Sequence, residues 1–171
     1  MYFNKTVNNF LIFIGCVGIM FLFRVIPHPP NFTPVIALSL YLPIVFGLWS
    51  IPFFILGFAV TDYFIEFHSL LIWTWSSLAL VGLLSQLAKG KLTRLLLAFT
   101  GALIFFIISN FGVWLTSSFY THDFQGLMNC YILAIPFFTN TLISTMLFAG
   151  LCEFLFSSKF FFLKSYVRKI N

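Results

Sequence analysis

Charge is what this chain has least of. Of its 171 residues only 8% are Asp, Glu, Lys or Arg, four acids against nine bases, where a water-soluble domain carries roughly a quarter. So few charges cannot cover a surface facing water, which excludes a soluble globular domain and makes lipid the expected solvent. Cysteine is also scarce: Cys16, Cys130 and Cys152 form an odd set with no CxxC or Cys-His spacing, so neither a disulfide framework nor a zinc site is indicated. There is no HExxH. The stretch from Lys89 to Thr93 comes nearest to a phosphate loop, but Ser85 stands where the first glycine of that motif belongs, so any ATP-driven work belongs to another polypeptide. No cofactor is expected. Long linkers, low-complexity tails and internal repeats are missing too, which favours one compact domain over residues 1–171.

What is present in excess is apolar: 61% hydrophobic residues, 26 of them Phe, and a mean hydropathy of +1.05. A helix needs about 20 apolar residues to cross a bilayer, because every backbone polar group must find its partner inside lipid. Charges and turn residues cut the chain into pieces of that order at 7–26, 35–48, 52–67, 70–88, 95–115 and 129–156. The uncharged run 25–61 is divided because Pro43, Gly47 and Trp49-Ser50-Ile51-Pro52 favour two helices, with Pro52 in the first turn of the second. The positive-inside rule supports that division. With six spans, Lys5, Lys89, Lys91, Arg94, Lys159, Lys164, Arg168 and Lys169 share one side and Arg24 alone falls on the other; five spans would scatter them. The expectation is therefore an all-α integral membrane protein of six transmembrane helices in one bundle, both termini cytoplasmic. The net charge of +5 then reflects membrane anchoring rather than nucleic-acid binding. Lys5 before an apolar run and Gly15-Cys16 imitate a lipoprotein signal, but Phe13 and Ile14 precede Gly15 where a small residue belongs, so the first span reads as retained. The pairs Gly15/Gly18, Gly101/Ala102 and Ala149/Gly150 are expected to let helices approach closely.

Sorting the polar residues by side gathers Arg24, His28, Asn31, Asp62, Glu66, His68, His122 and Asp123 at the outer ends of helices, with Glu153 the one acid left at the inner end. Ionisable groups near the membrane interior are costly and carry a functional presumption, although helix-end residues can snorkel to water. Asp62 and Glu66 lie four apart and share a helix face, so they call for a cation, a donor or a shared proton, which Arg24 or a histidine could supply: either Arg24 pairs with one of them structurally or the group meets a ligand. The His and carboxylate set offers groups that bind a divalent metal, but no ligand spacing matches a signature. The segment from Arg24 to Pro34 holds four prolines, which forbid a regular helix and stiffen the backbone; it reads as a lid over a cavity or as a rigid turn. Trp73, Trp75 and Trp114 fall where tryptophan anchors a helix at an interface. Asn110, a turn deeper than Trp114, needs a partner helix or a ligand.

Arg24-x-x-Pro27-His28-Pro29-Pro30-Asn31-Phe32-Thr33-Pro34, with Asp62 and His68 further on, resembles an uncharacterised family of small bacterial multi-spanning membrane proteins. Those are distantly similar to the substrate-binding S components of energy-coupling factor (ECF) vitamin transporters. The resemblance implies six helices, a bacterial inner-membrane location and an outward-facing pocket for a small vitamin-like or other polar solute. Arg24, His28 and Asn31 would sit under the lid, Asp62, Glu66 and His68 would supply charge, and Asn110, Trp114, His122 and Asp123 would close the site. It also implies an ECF-type ATPase and scaffold module as partner. The first span carries Gly15-x-x-Gly18 in place of the Ala-x-x-x-Ala by which many S components dock, so a shared module and a solitary mode both stay open. Two other classes remain: an accessory subunit of a larger membrane complex, and a membrane-embedded metal-dependent enzyme.

Overall fold

The structure is a computed structural model that describes residues 5–65 and 69–157. Within these residues there are six α-helices and no strand: α1 Lys5–Val25, α2 Val35–Phe46, α3 Ser50–Ile65, α4 Leu71–Leu83, α5 Lys91–Thr116 and α6 Phe124–Ser157, with a single 3-10 turn, Leu84–Leu87, prolonging α4. The division of the uncharged run falls at Gly47, whose φ of 88° is open to glycine at no steric cost. The Ser50 hydroxyl then donates to Gly47 O at 2.8 Å, and α3 starts two residues before Pro52, whose missing N–H costs nothing in a first turn.

Two boundaries differ from expectation. Helix α5 starts at Lys91 rather than near 95, which turns Arg94 from a loop charge into a buried helix residue. Helix α6 starts at Phe124 rather than near 129. The cause is Asp123, whose Oδ1 accepts from Gly126 N–H at 2.7 Å and so satisfies a first-turn donor.

The centre of the bundle is α2. All twelve of its residues are buried, as a helix apolar on every face requires, and α1, α3, α4, α5 and α6 all pack against it. Twelve residues rise only about 18 Å, while α5 with 26 and α6 with 34 run well beyond that. A short core helix ringed by longer ones leaves space past its end, and the proline-rich segment 26–34 covers that space.

Helices α5 and α6 are long and apolar enough to cross a membrane; Phe10–Val25, Val35–Phe46, Ser50–Ile65 and Leu71–Leu87 are apolar but shorter. The flanks exposed outside the core carry large apolar side chains such as Leu56, Ile72, Leu92, Leu133 and Phe154. Of the small-residue pairs, Gly101 lies under Val81 and Ile36 and Ala102 and Ala149 are fully buried, which is close packing. Gly15, Gly18 and Gly150 instead have nothing within 4 Å of where a Cβ would stand, so among the described residues they bring no helices together.

Candidate functional site

Past the N-terminus of α2 lies a cavity of about 400 Å³. Its floor is Val35 and Ile36 of α2; its walls come from α1, α3, α4, α5 and α6; its rim is the proline segment through His28, Asn31 and Thr33. Four of the residues read from sequence as solute-binding, Arg24, His28, Asn31 and Asn110, line it together. Phenyl rings dominate the rest of the wall, with Phe58, Phe105, Phe106, Phe137 and Phe138. An aromatic cavity with a few convergent polar groups is the usual build of a small-molecule pocket.

Arg24 ends α1 and crosses to α3. Its Nη2 lies 2.6 Å from Asp62 Oδ1, with side-chain exposures of 15% and 1%. Nη1 donates to Phe58 O at 3.3 Å and to the Thr61 hydroxyl, and the guanidinium stacks 4.1 Å above the Phe58 ring. From α4, Trp75 Nε1 donates to Asp62 Oδ2 at 2.7 Å. Oδ2 thus takes a hydrogen bond while Oδ1 has only the ion-pair contact to Arg24, the partners by which a buried carboxylate is tolerated. Of the two readings of this acid, the ion pair with Arg24 is the one observed; Asp62 stands behind Arg24 and does not itself line the cavity.

The proline segment is held down from α6. Asn140 Nδ2 donates to Pro30 O at 3.1 Å, and Ser144 Oγ lies 3.4 Å from Asn31 O. Asn31 has a positive φ of 62°, a conformation Asn tolerates better than most residues, and Phe32 N–H and Thr33 N–H close the turn on Pro29 O and Asn31 O. His28 Nδ1 is 2.7 Å from Pro29 O; a carbonyl can only accept, so Nδ1 carries the proton and Nε2 is left for the cavity side.

A family model matches residues 4–167, the family of unknown function DUF6580. The chain belongs to that family. No curated protein matches it, and no solved structure does.

The remaining residues read from sequence as closing the cavity of this DUF6580 member lie elsewhere. Trp114 Nε1 donates to Thr121 O at 2.9 Å and its ring meets His122 edge-on at 5.7 Å. The Thr121 hydroxyl donates to Asp123 Oδ1 at 2.9 Å, the same oxygen that takes Gly126 N–H. These contacts build the turn between α5 and α6, and none of the three lines the cavity. Nearby, Gly112 lets Trp73 lie on α5: a Cβ there would fall 2.2 Å from the indole. Glu66 and His68 fall outside the described residues. Among those described, no three His, Cys, Asp or Glu side chains gather as a metal would need.

Sequence reasoning missed a second polar cluster, at the opposite end of the bundle. Arg94 of α5 grips Glu153 of α6 with two bonds, Nε to Oε1 at 2.6 Å and Nη2 to Oε2 at 2.8 Å. The Tyr41 hydroxyl of α2 donates to the same Oε1 at 2.7 Å. The signal was in the sequence: one acid in an apolar helix demands a cation, and Arg94 lies one helix away on the same side.

Proposed function

We propose that this chain is a membrane transport protein: a six-span, S-component-like subunit of the bacterial inner membrane that captures a small polar solute, vitamin-like in size, from the outer face. The observation that carries the reading is the 400 Å³ cavity at the Arg24 end, roofed by a stiff segment tied to α6 through Asn140. Its volume lies within the range of ordinary ligand pockets. In the topology that collects the basic residues inside, this end faces outward and Arg94 with Glu153 faces the cytoplasm. The apolar flanks of the bundle suit lipid, and the three other shorter helices, α1, α3 and α4, are embedded around the buried α2, with the bilayer thinned to their length.

Arg24 shapes the mouth, Asp62 and Trp75 hold Arg24, and Asn110 and the phenyl rings receive the solute. Release inward needs the proline segment or a wall helix to move, driven by a partner or by the solute's own gradient. An ECF-type module would meet the chain on α1, where Gly15 and Gly18 open outward.

The test is access. In a chain with Cys16, Cys130 and Cys152 replaced, Asn110→Cys should react in intact cells with a small membrane-impermeant methanethiosulfonate. Reaction only after the cells are permeabilised would overturn the outward-facing assignment.

A further inference from the structure

The cavity's polar groups share a feature that bears on what can bind there. Eight polar side chains line it, and six of them have already given hydrogen-bond donors to the protein. Thr74 Oγ1 donates back to the first turn of α4, with Leu71 O at 3.0 Å. Ser109 Oγ donates to Phe105 O at 2.6 Å, Asn110 Nδ2 to Phe106 O at 2.8 Å and Thr141 Oγ1 to Phe137 O at 2.9 Å. His28 commits Nδ1–H to Pro29 O. Arg24 spends its Nη groups on Phe58 O, Thr61 and Asp62.

A hydroxyl that has donated its one proton keeps only lone pairs, and an amide whose nitrogen is engaged keeps its carbonyl oxygen. The α4, α5 and α6 wall thus presents mostly acceptors, three hydroxyl oxygens and Asn110 Oδ1, against the one N–H that Asn110 has left. His28 lines the same cavity with Nδ1 already engaged by Pro29 O. The formal charge at the mouth is cancelled, because Arg24 faces Asp62 at 2.6 Å. A carboxylate or phosphate entering here would meet mostly lone pairs on that wall and a cation already paired, with donors left only on Asn110 and, at the rim, Asn31 and Thr33. A ring bearing N–H or O–H groups would find partners for each of them and phenyl faces for its plane.

We propose that the solute is a flat, nitrogen-bearing ring compound, uncharged or cationic, that presents its hydrogen-bond donors to Thr74, Ser109, Asn110 and Thr141, and that anionic analogues are rejected. This rests on the solute-capture reading above and narrows its substrate class.

A matched pair of probes tests it: indole-3-acetamide and indole-3-acetate have the same ring and nearly the same shape, and differ in an N–H donor against an anionic acceptor. Isothermal titration of the full chain in lipid nanodiscs should give tighter binding of the acetamide by on the order of tenfold, the worth of about one well-made hydrogen bond. Asn110→Leu and Thr141→Val, each removing one acceptor, should weaken the acetamide several-fold and leave the acetate unchanged, whereas Gln86→Ala, away from the cavity, should change neither. Equal binding of the two probes, or tighter binding of the acetate, overturns the donor inference and leaves solute capture standing. Binding of neither also overturns it; a small molecule retained by the chain in a native mass spectrum would then still support capture itself.

Discussion

Arg24 with Asp62 and Arg94 with Glu153 are the same chemical pair set at opposite ends of one bundle, and they are built for different work. At the Arg94 end the pair is bidentate, both partners are under 10% exposed, and Tyr41 supplies a third bond from the central helix. Arg94 Nε and Nη2, both Glu153 oxygens and the Tyr41 hydroxyl are engaged with one another, and neither Arg94 nor Glu153 lines the cavity. At the Arg24 end the contact to Asp62 runs through one nitrogen, the other nitrogen is spread over α3 backbone and hydroxyl, and Arg24 opens on a 400 Å³ cavity. A closed ion pair stitches α2, α5 and α6 together. An ion pair beside a void fixes the shape of the mouth through which something else can enter.

Four outcomes would break or sharpen that contrast, from the largest to the smallest. Glu153→Ala strands Arg94 in an enclosed site, and the expected loss is about 3–5 kcal/mol, the usual cost of removing one partner of a buried pair. Replacing both, Arg94→Met with Glu153→Leu, should recover most of it in thermal unfolding of the detergent-solubilised chain; a double variant as unstable as the single one would show that the pair itself, and not its burial, holds the helices. Arg24→Ala should cost less, about 1–3 kcal/mol, because Asp62 keeps its bond from Trp75 and gains access to cavity water. The same variant should lose solute binding while still inserting. If it destabilises the chain as much as Glu153→Ala does, the two ends are not different in kind.

Asn140→Ala cuts the tie to Pro30 O and should lower stability by about 0.5–1.5 kcal/mol, visible as faster amide hydrogen exchange at Phe32 and Thr33 with the α5 core unchanged. The smallest effect belongs to Asp123. Gly126 N–H, and after it the Thr121 hydroxyl, hold its carboxyl below the usual carboxylate range. A folded-state pKa lower than the unfolded one means the stabilisation is complete above the ordinary carboxylate value and disappears as pH falls through the depressed one. Asp123→Asn should therefore flatten the acid limb of the melting-temperature profile and lower the neutral plateau slightly, by what the wild type loses in acid.

The contrast was half visible in the sequence. Six helices follow from the spacing of charges, prolines and glycines, and the Arg24 to Pro34 segment announced itself by four prolines beside an arginine in an otherwise uncharged stretch. Pairing Arg24 with an acid was an open alternative because charge scarcity leaves few partners. What stayed hidden depends on helix register and on three-dimensional direction. Arg94 looked like a loop charge because Lys89 and Lys91 stand beside it, and only the true start of α5 turns it inward to Glu153. Trp75 looked like an interface anchor; its indole N–H points to Asp62 because α4 packs on α3. Trp114, His122 and Asp123 carry the residue types of a binding site, yet their contacts make a turn and a helix cap, a role that Thr121-His122-Asp123 ahead of an apolar helix already spells out in capping terms.

The central claim is that the Arg24 end holds a solute and the Arg94 end holds the helices together. Native mass spectrometry of the chain released from its own membrane tests it most directly. The account predicts a non-covalent small molecule on the wild-type chain and on the Arg94→Met, Glu153→Leu double variant, and its loss from Arg24→Ala. A bare wild-type chain, or the same occupancy in Arg24→Ala, would contradict it.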